Sequence, residues 1–368
     1  GQALSFIVIA VGLGLYWDNI WPLVIATAAS WGVSLVHRIV DVRHYMRFVV
    51  PLSEIRDGFR ALPSMLVFGL KTAPGMVADG VASESGTFIL GVTNSVAGVG
   101  AWSRARQLGY RLQESATRIN EIFFPTLCER RANGDEEGHD RALMDTLRYT
   151  SIAFLLAAAA GGGAAHGVMG LFGPGFDVAS DAFALILLAQ ALAIASGVLG
   201  LAMWAADRPL QDSYVAVGRA VLLIGLSIPL AVWLGVTGPA LAGVVAQAAG
   251  VAMLLPLVRS RAMFGSMRTY WPLRQVVFLA MSYVGGFLAA RLVDDLLPGL
   301  AGLTLGMLAG AGVFVAILVL TGGLNERDRA RLAGALSKVR GRSGGDDAPP
   351  DPDPPAPTDR PAGVLEER

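Results

Sequence analysis

Apolar residues run along this chain in blocks long enough to cross a bilayer as helices, about 20 residues each, and polar residues collect between the blocks. The pattern predicts ten spans: 3–16, 20–36, 64–90, 98–126, 149–172, 177–205, 213–235, 238–258, 275–294 and 299–321. The first is short, and the third and fourth are the least apolar. Loop charge tests this count, because cytoplasmic loops carry an excess of Lys and Arg. Segment 37–63 holds Arg38, Arg43, Arg47, Arg56 and Arg60. Segment 127–148 holds Arg130, Arg131, Arg141 and Arg148, and segment 259–274 holds Arg259, Arg261, Arg268 and Arg274. Asp207 and Arg208 mark a further turn. The intervening turns at 93–97, 173–175 and 235–238 carry no charge, and the turn at 294–299 is acidic. Basic and non-basic loops therefore alternate along the chain, which predicts ten spans with both ends cytoplasmic.

Two segments break the pattern of simple spans. In 43–62, Tyr45, Phe48, Val49, Leu52, Ile55, Phe59 and Leu62 recur at helical spacing with arginines between them. This predicts an amphipathic helix on the inner membrane surface. Residues 341–368 are rich in Pro, Asp and Gly and lack the apolar surface needed to order themselves, so they read as a disordered cytoplasmic tail. Asp351-Pro-Asp353 in that tail matches a metal-dependent transferase pattern, but the chain contains no sugar-nucleotide domain around it.

Composition agrees with a membrane chain. Of 368 residues, 54% are hydrophobic and 16% charged, against about 25% charged in soluble domains, and the mean hydropathy is +0.54. The 29 basic and 29 acidic residues cancel, so net charge selects no partner. Cys128 is the single cysteine, which rules out an intrachain disulfide. The histidines His37, His44, His139 and His166 show no metal-ligand spacing, and neither a metal site nor a cofactor is expected. Nothing points to nucleic acid. The chain opens on Gly1 within an apolar run and lacks a basic leader, which reads as a fragment whose native start lies upstream.

The charged stretch 104–127, RARQLGYRLQESATRINEIFFPTL, lies within the fourth expected span. Arg104, Gln107, Arg111, Glu114, Arg118 and Glu121 follow one another at steps of three and four, which puts them on one helix face. The stripe is about 25 Å long at the helical rise. Arg106 falls off it, near the outer end, where it is expected to snorkel to headgroups. A mid-bilayer arginine facing lipid costs about 2.5–3.5 kcal/mol on insertion scales, so the stripe must face protein or water. It is either an ion-pair ladder, Arg111 to Glu114 and Arg118 to Glu121, or the wall of a water-filled cavity that attracts anions. The cavity is favoured, because intramembrane ionisable residues usually mark substrate pathways. The span before it adds Lys71, Asp79, Ser83, Glu84 and Thr87, with Asp79, Ser83 and Thr87 sharing a face. Asp79 requires a partner, a proton or a cation, and is a candidate for ion coupling. The buried glycines, Gly161-Gly-Gly163 among them, suit close helix packing, and His166 reads as a packing residue.

Three stretches carry a resemblance. Gly91 with VTNSVAGVGAWSRARQL (92–108), FFPTLCERRANGD (123–135) and LFGPGF (171–176) resemble signatures of the polysaccharide-transporter family. That family belongs to the multidrug/oligosaccharidyl-lipid/polysaccharide exporter superfamily. Here Trp102 replaces the usual tyrosine of the first signature, and Gly175 replaces an acidic residue of the third. The resemblance covers roughly residues 1–325.

It implies an all-α, polytopic transmembrane helical bundle. Residues 1–36 would be the last two spans of a first lobe, and 37–63 a cytoplasmic amphipathic linker. Residues 64–258 would be the second six-helix lobe, 259–324 two additional C-terminal spans, and 325–368 the cytoplasmic tail. The implied function is alternating-access flipping or export of undecaprenyl-pyrophosphate-linked oligosaccharide for cell-surface polysaccharide, without covalent catalysis. Arg104, Arg111, Arg118 and Lys71 are then the candidate pyrophosphate ligands, since a guanidinium fork suits phosphate oxygens. Asp79, Glu84, Gln107, Glu114 and Glu121 are the other polar cavity candidates. The expected partners are the lipid-linked glycan, membrane lipids and polysaccharide-assembly enzymes, in the cytoplasmic (inner) membrane. A peptidoglycan lipid-precursor flippase and a non-transporting membrane scaffold are the alternatives. A cation antiporter would want an acidic cavity, and a membrane glycosyltransferase would want an acidic metal site.

Overall fold

The computed structural model describes residues 9, 12, 21–45, 52–258, 273–297 and 299–323. Among these residues there are ten α-helices, one 3₁₀ turn and no strand. The described residues are all-α, and six of their helices are long and apolar enough to cross a membrane, the mark of a multi-pass membrane protein. The expected span at 3–16, most of the basic segment 259–274 and the tail lie outside the described residues.

Two compact units divide the chain, residues 1–70 and 71–368. In the first, α1 is Trp21–Tyr45. It is apolar over Val24–Val40, and Trp31, Leu35 and Val36 are exposed along it. Helix α2, Leu52–Thr93, starts in the first unit and runs into the second. This changes the reading of 43–62. Residues 43–45 close α1, and 52–62 are the opening turns of α2, continuous with the long helix rather than a separate surface helix.

In the second unit, α2 turns into α3, Val96–Ala132, across two residues that satisfy its first turn. The Asn94 Oδ1 accepts from the Ser95 amide at 2.8 Å. Ser95 caps α3 by accepting from the Gly98 amide at 3.1 Å. Helix α3 runs through Pro125 and ends beside Arg130 and Arg131, where cations complement the helix dipole. The expected loop 127–148 is much shorter than the charges suggested. Only Asn133–Asp135 separate α3 from α4, Glu136–Gly163, whose cap Asp135 accepts from the Gly138 amide at 2.9 Å. The basic residues of that segment therefore sit on helices, Arg130 and Arg131 in the last turn of α3 and Arg141 and Arg148 within α4.

Next come α5, Ala165–Gly170, the 3₁₀ turn Asp177–Ala179, and α6, Ser180–Ala205. They are followed by α7, Pro209–Leu234, α8, Thr237–Val258, α9, Leu273–Leu296, and α10, Gly299–Leu320. Among the described residues, helices α4 and α6 to α10 are the ones long and apolar enough to cross a membrane. Helix α6 is the hub, packed on α3, α4 and α8. Its own Val198, Leu199 and Met203 are fully buried. Helices α9 and α10 form a hairpin against α4, with Ala159, Leu279, Phe314 and Leu318 between them. Lipid is as apolar as these side chains, so close packing rather than expulsion of water holds the helices together. Large apolar residues on the outer faces, such as Val221, Trp233, Leu292 and Leu308, are accordingly exposed.

A candidate ligand cavity

A cavity of about 430 Å³ opens within the second unit, walled by α2, α3, α6, α7 and α8. Helix α3 reaches it through Trp102, Arg106, Tyr110, Gln113 and Asn120. These positions share a face at steps of three, four and seven. That row lies beside the arginine stripe identified from sequence and carries a single charge. The Arg106 guanidinium, expected to reach the headgroups, instead turns inward. It donates to both oxygens of Glu84, at 2.9 and 3.0 Å, and to the Ser83 carbonyl. It also stands 5.3 Å from the centroid of the Tyr110 ring.

The second cation of the cavity is Arg219, the lone charge in the interior of α7. Its Nη2 donates to Asp79 Oδ1 at 2.5 Å. Its Nη1 donates to Ser196 Oγ at 2.8 Å and to Gln247 Oε1 at 3.2 Å. One guanidinium thus ties α7 to α2, α6 and α8. Asp212, about two turns earlier on α7, also lines the cavity and accepts from the Trp204 indole at 2.8 Å. The Trp102 indole, where the family usually has tyrosine, is buried and donates to Thr87 Oγ1 at 3.3 Å.

The residues singled out from sequence divide between this cavity and the surface. Asp79 lines the cavity and Glu84 pairs with its wall. Arg111 pairs with Glu114 at 2.8 Å and Arg118 with Glu121 at 3.2 Å, in the i,i+3 ladder geometry. The side chains of these two arginines are 71% and 81% exposed. Arg104 donates to Gln107 at 3.1 Å. Gln107, Arg111 and Glu114 line a second recess of about 550 Å³, which shares Arg106 and Tyr110 with the first. Arg104, Arg118, Glu121 and Lys71 line neither space. The carbonyl of Lys71 accepts from the Ser213 hydroxyl at 2.7 Å, linking α2 to α7.

Sequence reading passed over Arg219, Asp212 and Gln247. The signal for Arg219 was present: a single cation within VAVGRAVLLIGL is an intramembrane charge, and such a charge needs a partner. His166, read as a packing residue, is exposed, with its Nε2 3.4 Å from an Arg291 nitrogen. Among the described residues no group of His, Cys, Asp and Glu is arranged to hold a metal.

The cavity is thus a polar, arginine-bearing hollow in an apolar helical bundle. Residues 1–160 match a family model described as a polysaccharide biosynthesis protein. Among solved structures the chain is similar to one described as Lipid II flippase MurJ, inward closed conformation. The TM-score is 0.59 at 13% identity, over 87% of this chain and 65% of that one. The chain therefore spans just under two thirds of that protein's length. No curated protein matches. The family match covers the first 160 of the 368 residues, and the likeness to the solved structure is one of fold.

Proposed function

We propose that this chain carries the substrate path of a transporter that flips or exports undecaprenyl-pyrophosphate-linked oligosaccharide for cell-surface polysaccharide, by alternating access. The observation that carries the reading is the cavity itself. It places two inward-turned arginines, Arg106 and Arg219, among helices of membrane length. An arginine kept inside such a bundle, at the expense of lipid-compatible packing, fits recognition of an anion. The match to a polysaccharide biosynthesis family favours a glycan carrier. A peptidoglycan-precursor flippase is the second reading, favoured by the likeness to a lipid II flippase.

In this reading the exposed stripe of Arg104, Arg111 and Arg118, with Lys71, forms an outer rail for the pyrophosphate. Glu84, Gln107, Glu114 and Glu121 modulate its charge, and Asp79 is the candidate for ion coupling. Residues 64–258 act as one six-helix lobe and 259–324 as an accessory pair. The basic loops and the C-terminus lie on the cytoplasmic side of the inner membrane, where polysaccharide-assembly enzymes would meet them. Moving a lipid-linked glycan across the bilayer makes and breaks no covalent bond, so the chain acts as a carrier rather than an enzyme.

The test is made in cells with the intact protein. Arg106→Gln is expected to abolish surface glycan and to accumulate its lipid-linked precursor. The double variant Arg111→Ala with Arg118→Ala is expected to reduce export. Accumulation of the peptidoglycan precursor instead would select the second reading. Normal export by the double variant would remove the rail.

A further inference from the structure

Both cavity arginines are neutralised by carboxylates from the same helix. Arg219 pairs with Asp79 and Arg106 with Glu84, and both carboxylates stand on α2. The two sides of these pairs differ in burial. The arginine side chains are only 15% and 22% exposed, whereas Asp79 and Glu84 are 51% and 53% exposed. Arg219 is also held by Ser196 on α6 and Gln247 on α8, through the nitrogen that does not bind Asp79. Arg106 keeps the face of Tyr110. The cations are thus fixed in the bundle, and the anions are the removable partners.

Helix α2 is itself sparsely packed within the second unit. Met76, Val77, Val81 and Phe88 are exposed along it. Its last turns are anchored in the apolar core by Leu90, and ahead of them its ties to the bundle include the Lys71 carbonyl to Ser213, the two ion pairs, and the seat of Gly86 and Thr87 on Trp102. A helix held in this way can be released when its ion pairs are exchanged.

We propose that Asp79 and Glu84 are built-in stand-ins for phosphoryl oxygens. They occupy Arg219 and Arg106 when the cavity is empty, and a diphosphate anion displaces both together and frees α2. The inference rests on the proposed function and deepens it. It identifies the anion site as Arg106 with Arg219, and it makes ligand capture and release of α2 a single charge exchange. Each guanidinium exchanges a carboxylate for phosphoryl oxygens, and the two displaced carboxylates stay on α2, where they are already half exposed to water. A carboxylate and a phosphoryl oxygen offer the same acceptor geometry to a guanidinium fork, so they compete directly.

The experiment uses the full chain in lipid nanodiscs, with inorganic pyrophosphate and a prenyl diphosphate as separate probes. Asp79→Asn with Glu84→Gln keeps side-chain shape and removes both competing charges. Its affinity for a diphosphate is expected to rise by about tenfold or more, the equivalent of one charge-assisted bond no longer displaced. A spin-label pair between α2 and α8 is expected to show, without ligand, the separation that wild type shows only with ligand. Arg219→Gln is expected to lose the gain. A gain with both probes means that the diphosphate alone drives the exchange. A gain with the prenyl probe alone means that the lipid-borne headgroup drives it, and either result supports the proposal. Equal affinities of wild type and the double variant for both probes overturn it, as does an α2 separation that ligand leaves unchanged. Flipping of a lipid-linked glycan in vesicles is scored separately. Absence of flipping with the affinity gain intact would remove the functional reading and leave the exchange standing.

Discussion

At the scale of single residues, the seat of Trp102 is the most sharply defined contact beside the cavity. A Cβ added at Gly86 would lie 2.7 Å from the indole ring, which is buried. Gly86→Val is expected to lower stability by about 1–3 kcal/mol, the usual cost of overpacking. Thr87→Val removes only the indole's acceptor and is expected to cost about 0.5–1.5 kcal/mol. Thermal unfolding of the two variants in detergent checks the order, and a larger loss for Thr87→Val would contradict it. Where a charge has a local partner, spacing makes the pair legible, although the sequence favoured a cavity wall over a ladder for this stripe. The i,i+3 pairs Arg111–Glu114 and Arg118–Glu121 are as spacing allowed. Spacing falls short where the partner is remote in sequence. Arg219 meets Asp79 across 140 positions, and no periodicity along either helix encodes that meeting. Arg106 was misplaced for a related reason. The stripe was chosen by density of charge, whereas the cavity is walled by a row whose polarity comes mainly from Tyr110, Gln113 and Asn120.

At the scale of helices, the spans were legible because burial in a bilayer demands long apolar runs. The expected 177–205, 213–235, 238–258, 275–294 and 299–321 fall within a few residues of the helices found. The ends were less legible where helices project past the apolar stretch. Helix α3 continues to Ala132 and α4 begins at Glu136, so charges that looked like loop are helical. The joint between α2 and α3 rests on Ser95 as cap. Ser95→Ala is expected to cost about 0.5–2 kcal/mol, and hydrogen exchange is expected to rise at Val96–Val99 ahead of the rest of α3. Unchanged protection there would show that packing, not the cap, holds the joint.

At the scale of the whole molecule, the alternation of basic and non-basic loops makes orientation testable by chemistry. In a Cys128→Ser background, Asn133→Cys is expected to react with an impermeant thiol reagent only after cells are opened. Pro174→Cys is expected to react in intact cells. The reverse pattern would invert the assigned topology. The uneven polarity of the bundle also bears on how it is made. Helices α2 and α3 are the least suited to lipid, and the one arginine that α3 turns inward, Arg106, meets a cavity completed by α6, α7 and α8. Those helices emerge from the ribosome later, with the last of them ending at Val258. At about 5–20 residues per second, the α2–α3 hairpin must wait several seconds for the walls that will shelter it. During that interval it cannot partition into lipid at low cost. Its membrane entry is therefore expected to be a late, assisted event, with the hairpin retained at the insertion machinery until its cavity exists.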